Sequence, residues 1–222
     1  MSEKQIVQNS LELAQGEEGF NADFSLSSDI LSRNGRKVAI FGGVGIEKFS
    51  ETYEKAVVLA RLVSKAGISI ITGGGLGIME AANKGAKSAE STAFSYGLKV
   101  RVIEEAMSKN EFMDANCEFT FNTLSIRLLT LISASDAIVF FPGGFGTLEE
   151  LFSLLVRLKV GMLKKLPIYL FGSKFWNGLM NWLAKTAQNE CVIAAEHMNL
   201  FKLKDDVDEI SNEIIAYCLA LK

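Results

Sequence analysis

Three glycines within four positions, Gly143, Gly144 and Gly146, lead into Thr147 and Glu150 in the stretch Pro142-Gly143-Gly144-Phe145-Gly146-Thr147-Leu148-Glu149-Glu150. An apolar strand is expected just before it, over residues 136–141, and a helix after it, over residues 147–160. Closely spaced glycines let the backbone turn sharply and bring its N–H groups near a guest. The start of a helix adds a field that favours an anion, so the pattern is a seat for phosphate. Glu150 stands one turn into the helix, where the dipole favours the ionised carboxylate. A fixed carboxylate beside a phosphate seat suits the stabilisation of a positive sugar carbon, or the activation of water.

Thr147 and Glu150 also have the T-x-x-E spacing of a capping box, in which both would serve only the helix end. Against that reading, Leu148, Leu151, Phe152 and Leu155 define the expected buried face, and Glu150 projects away from it. Arg127 is the only charge between Leu124 and Ala134. A helix apolar on nearly every side is buried, in a core or a subunit interface, and a buried arginine needs an anion or a set of acceptors. A structural salt bridge and contact with a bound phosphate or reacting substrate both meet that need. Asp136, the nearest acid in sequence, falls at the start of its strand, opposite the ligand end. Glu80 is read as complementing a helix dipole.

Two more glycine turns follow expected strands: Gly42-Gly43-Val44-Gly45 after residues 37–41, and Gly73-Gly74-Gly75-Leu76-Gly77 after residues 68–72. Neither resembles a dinucleotide fingerprint, with its acid about 20 positions on, nor a P-loop ending in Gly-Lys-Ser/Thr. A smaller phosphorylated ligand, such as a nucleoside monophosphate, fits better. Further strands are expected over residues 92–98, 118–122 and 167–171. Helices are expected over 47–65, 78–89, 124–134, 174–186 and 205–221, with a charged, irregular segment over 99–116. Strands alternate with helices, and the strands are continuous apolar runs. Both features predict an α/β fold, a doubly wound, Rossmann-like parallel sheet with helices on both faces in a single domain. Residues 1–35 are read as an N-terminal extension, a peripheral helix around residues 6–14 followed by a connecting loop. Residues 36–222 form the Rossmann-like nucleotide-binding catalytic domain.

The composition sets bounds. At 222 residues and 49% hydrophobic content the chain can bury a sizeable core. A net charge of −3 gives no electrostatic footprint for nucleic acid or an anionic membrane. A polar start without a secretory pattern, and no apolar run near the roughly 20 residues of a membrane span, predict a cytoplasmic protein. Cys117, Cys191 and Cys218 are far apart and read as reduced thiols. His197 is the only histidine and is expected at the surface, which argues against a Ser-His-Asp triad or a multi-histidine metal site.

The stretch 142–150 matches the P-G-G-x-G-T-x-x-E signature of the Lonely-guy family, long described as possible lysine decarboxylases, at every fixed position. Gly73-Gly74-Gly75-Leu76-Gly77-Ile78-Met79-Glu80 resembles that family's G-G-G-x-G-x-M-E element, and Arg127 lies at the spacing of its arginine. The longer form is similar to the bacterial branch. The resemblance covers roughly residues 37–186. It implies a phosphoribohydrolase that cleaves the N-glycosidic bond of a nucleoside 5′-monophosphate, AMP-like or a cytokinin ribotide, to free base and ribose 5-phosphate. It further implies Arg127 and Glu150 as the catalytic pair. Gly73, Gly74, Gly75, Gly77, Met79, Gly143, Gly144, Gly146 and Thr147 would hold phosphate and ribose. A homodimer is implied, and no metal or organic cofactor. Leu128 stands where the family usually has lysine, a departure expected to alter substrate choice or weaken activity. The competing class is a non-catalytic carrier of a nucleotide or of molybdenum cofactor on a related fold, which has no need of the Arg127–Glu150 pair. An inactive relative acting as a nucleotide sensor is a third reading.

Overall fold

Alternate residues of the central strands face opposite sides of one sheet, and both sides are covered. The computed structural model describes residues 17–101 and 110–221; the helix expected around residues 6–14 lies outside the described residues, as does part of the irregular segment expected over 99–116. The elements are α1 (Glu17–Ser32), β1 (Lys37–Phe41), α2 (Glu51–Lys65), β2 (Ser69–Thr72), α3 (Ile78–Lys87), β3 (Ser95–Val100), β4 (Glu118–Phe121), α4 (Leu124–Ser133), β5 (Ala137–Phe140), α5 (Phe145–Lys159), β6 (Ile168–Phe171), α6 (Ser173–Trp182), β7 (Lys202–Lys204) and α7 (Val207–Ala220). The seven strands of the described residues form a parallel sheet in the order β4-β3-β2-β1-β5-β6-β7.

Val38, Ile40 and Val139 pack against apolar residues of α2, α3 and α7. Ala39, Phe41, Ile138 and Phe140 pack on the other side against residues of α1, α4, α5 and α6. Burial on both faces is why these strands read as unbroken apolar runs. The chain is a single α/β domain of Rossmann-like architecture. No helix among the described residues is long and apolar enough to cross a membrane.

Strand order reverses between β1 and β5, and at such a switch point the connections leave in opposite directions and open a crevice beyond the carboxyl ends of the strands. The turn 42–45 follows β1 and the turn 142–146 follows β5. They are bonded to each other, Gly43 N–H donating to the Pro142 carbonyl at 2.9 Å.

Four local features depart from the sequence expectations. Residues 17–32 are helix, where a loop is expected, and α1 packs on α4 and β4. β7 is a short strand that no apolar run announces. α2 begins at Glu51 because Ser50 caps it, its hydroxyl accepting from Tyr53 N–H at 3.3 Å. The buried residues of α5 are Thr147, Leu151 and Leu154, whereas Phe152 is exposed.

Candidate active site

Arg127 reaches the crevice from α4 and is held on three sides. Its Nε donates to the Leu98 carbonyl of β3 at 2.8 Å, and Nη1 donates to Glu150 Oε1 on α5 at 3.2 Å. The third side is Gly73, after β2, where an added Cβ would overlap Arg127 Nη2 and crowd the Met79 sulfur. Arg127 is 7% exposed, and its guanidinium lies across the carboxyl end of the sheet, joining β2, β3 and α5. Burial works on both partners. It lowers the Arg127 guanidinium from its usual value, against the pull of Glu150. It pushes the Glu150 carboxyl up to about 7, with Arg127 opposing the shift and Glu149 adding to it. Desolvation thus opposes the ionised form that the start of α5 and the hydrogen bond from Arg127 favour.

The capping-box reading of Thr147 and Glu150 also fails. α5 starts at Phe145, with Gly144 as its N-cap and no side chain capping it. Thr147 is buried beneath Gly143, close enough that a Cβ on Gly143 would overlap its hydroxyl. Glu150 bonds Arg127 instead. The N–H groups of the first turn of α5 have no carbonyl four residues earlier within the helix, and they face the crevice end of the sheet.

The glycines divide into two kinds. Gly73, Gly77 and Gly143 are demanded by packing; Gly77 has φ +64° and a Cβ there would overlap the Gly43 carbonyl. At Gly144 and Gly146 a Cβ would meet nothing within 4 Å. Their missing side chains serve no internal contact, which is what an approach of a guest to the backbone needs.

Several supports carry no sequence motif. Beneath the turn 73–77, Thr72 Oγ1 donates to Asn83 Oδ1 at 2.7 Å and accepts from Gly74 N–H at 3.0 Å. Asn110 Nδ2 reaches the Gly75 carbonyl and Asn83 Oδ1, each at 3.0 Å. Buried amides of this kind are visible only once the fold brings them together. Glu80 does more than complement the dipole: it is buried, with Oε1 2.8 Å from Lys48 Nζ, tying the turn after β1 to α3. Asp136 lies at the opposite end of the sheet, as expected, accepting from Lys37 N–H at 3.0 Å. His197 lies partly exposed at the surface, as expected, its Nδ1 accepting from Ala194 N–H at 3.2 Å. Leu128 is 4% exposed and belongs to the core packed on the sheet.

A sequence profile described as "Possible lysine decarboxylase" matches residues 79–214, more than half of the chain, and includes Met79, Arg127 and the stretch 142–150. The chain belongs to this family. Within the Lonely-guy family as thus recognised, the match begins just after the turn 73–77, so that turn is supported by its geometry alone. An uncharacterised protein of Archaeoglobus fulgidus is 32% identical over 112 residues, half of this chain and 67% of that one. Among solved structures, the molybdenum cofactor binding protein from Rippkaea orientalis is similar with a TM-score of 0.60 at 19% identity, over 83% of this chain and 98% of that one. The Moco carrier protein of Chlamydomonas reinhardtii is similar with a TM-score of 0.57 at 19% identity, over 85% of this chain and 100% of that one. DNA processing protein A of Helicobacter pylori gives a TM-score of 0.51 at 16% identity, over 85% of this chain and 84% of that one. At these identities the likenesses establish the shared fold.

Proposed function

We propose that the chain is a cytoplasmic phosphoribohydrolase that cleaves the N-glycosidic bond of a nucleoside 5′-monophosphate, AMP-like or a cytokinin ribotide. The observation that carries the reading is the Arg127–Glu150 pair, 3.2 Å apart in the crevice beside two glycine turns. The 5′-phosphate binds the N–H groups at the start of α5, with Gly143, Gly144, Gly146 and Thr147 shaping the seat and Gly73 to Gly77 and Met79 enclosing the ribose. Fixing the phosphate holds C1′ against Glu150, so that remote binding energy lowers the barrier at the reacting carbon. As the C1′–N bond breaks, its electron pair leaves with the base, and the sugar carbon becomes positive. Water attacks that carbon and gives a proton to Glu150, whose carboxyl near 7 is matched to accepting it at neutral pH. The departing base takes up a proton from solvent, leaving ribose 5-phosphate. Arg127 orients Glu150 and the substrate. No step needs a metal or an organic cofactor.

The test is chromatography of AMP, GMP, CMP, UMP and isopentenyladenosine monophosphate incubated with the protein and with Glu150→Gln. Free base is expected with the wild type and not with the variant. A carrier, which is what the Chlamydomonas reinhardtii relative is named for, would instead retain the nucleotide intact. Full turnover by a folded Glu150→Gln would remove Glu150 from the mechanism.

A homodimer joined through α4 and α5 belongs to the same proposal. Leu124 and Leu129 on α4, and Phe145, Phe152 and Val156 on α5, are exposed apolar residues on the two helices that carry Arg127 and Glu150. Phe145, at 93% exposure, stands at the lip of the phosphate seat.

A further inference from the structure

α1 supplies a cap to a helix other than its own. The first turn of an α-helix leaves N–H groups without partners, and a threonine at the N-cap position ordinarily accepts one through its hydroxyl. Thr123 occupies that position in α4 and makes no such bond, and its buried Oγ1 has no partner among the described residues. The start of α4 is held instead by Asp23, 100 residues earlier in the chain, at the N-cap residue itself: Oδ2 accepts Thr123 N–H at 2.8 Å. Oδ1 accepts Asn122 N–H at 2.8 Å and Asn122 Nδ2 at 3.2 Å. Asp23 is wholly buried. An acid removed from water is tolerated when its oxygens are filled with donors, and the positive end of α4 favours it further.

This bonding runs directly to the catalytic arginine. The Thr123 carbonyl accepts Arg127 N–H at 3.1 Å, the opening bond of α4. From there the side chain extends to the Leu98 carbonyl and to Glu150. A second tie joins the same two helices, Ser27 Oγ and Thr130 Oγ1 lying 2.6 Å apart. We propose that Asp23 is a positioning residue, which fixes the start of α4 and thereby the placement of Arg127 against Glu150. The N-terminal helix is then part of the catalytic apparatus, although it touches no substrate. The kinetic consequence rests on the hydrolase reading; the geometric one does not.

The test follows the Glu150 carboxyl through its titration by ¹³C NMR in the full chain, its signal assigned by comparison with Glu150→Gln. The charged groups acting on that carboxyl are Arg127, which lowers its midpoint, and Glu149, which raises it. In Asp23→Asn an amide N–H₂ replaces one acceptor and faces a backbone donor, so α4 shifts and Arg127 loosens its hold. The midpoint is expected to rise by about half a unit or more. Ser27→Ala removes the other α1–α4 tie but keeps the cap, and is expected to leave the midpoint in place. With AMP, Asp23→Asn is expected to lose about tenfold in kcat while KM stays within about twofold. A folded Asp23→Asn with an unchanged midpoint overturns the proposal, as does a Ser27→Ala that shifts it equally. Failure of the wild type to hydrolyse AMP overturns the hydrolase reading and leaves the titration to decide the role of Asp23. If Asp23→Asn does not fold, Asp23→Ser, which keeps one acceptor oxygen, is read by the same criteria.

Discussion

Glu150 is shaped by two opposing demands. Its neighbour Arg127 favours the charged carboxylate, yet the depth that lets the two meet favours the neutral acid, and burial wins. The base form is then scarce at acid pH, and kcat/KM for nucleotide hydrolysis should climb with pH, about tenfold per unit, until a plateau above about 7. A profile that is flat from about pH 5 to 8 would contradict Glu150 as the base. The sign for stability is opposite. The folded carboxyl keeps its proton up to about 7, whereas an unfolded one releases it near 4.5. The folded state therefore holds more protons in that window, and this group's contribution to folding is lost as pH rises through it. Wild type should lose thermal stability relative to Glu150→Gln between those values, and a constant difference in Tm would speak against the raised carboxyl. Leu128 shows how neighbours in the chain part in space. It adjoins Arg127 in the chain but is turned by about 100° around the helix, and that turn takes it into the core.

At the level of elements, the two kinds of glycine make different predictions. Gly73→Ala pushes a methyl into Arg127 Nη2, so activity should fall by about a hundredfold or more. Gly144→Ala meets nothing and is felt only as a poorer N-cap, about 0.5–1 kcal/mol, so Tm should fall by no more than about 2–4 °C. If the phosphate sits on that backbone, KM for AMP should nonetheless rise in Gly144→Ala; an unchanged KM would move the seat elsewhere. The glycine turns and the apolar strands were legible because each leaves a local mark: a run of β-formers, then glycine. Helix α1 leaves none. Its buried positions Asp23, Ser27 and Ile30 have helical spacing, but two of the three are polar, while Phe20, Phe24 and Leu31 face outward. Hydrophobic periodicity therefore points the wrong way, and only the donors waiting on α4 explain the pattern. The same holds for Asn83 and Asn110, whose value lies in partners distant in the chain. The Arg127–Glu150 pairing was suggested by a family signature; spacing alone left a capping box open for Glu150 and a structural salt bridge open for Arg127.

For the whole molecule, the exposed apolar residues of α4 and α5 are the surface on which the proposed dimer is tested. Wild type should sediment as a dimer, and Val156→Glu, which places a charge on a residue already 56% exposed, should yield a folded monomer. A wild type that sediments as a monomer at micromolar concentration would exclude the dimer. Among the described residues the sheet also has a free margin at β7, which is hydrogen-bonded to β6 alone. A strand with one unpaired side is a template on which another chain can grow. Here that margin is three residues long and reads Lys202-Leu203-Lys204, with both ammonium groups held by Glu213 of α7. An incoming strand would have to displace these ion pairs and bury two lysines for a ladder of only three residues. The same short, charged border that hid β7 from the sequence guards the protein against fibril growth when it is crowded or warmed.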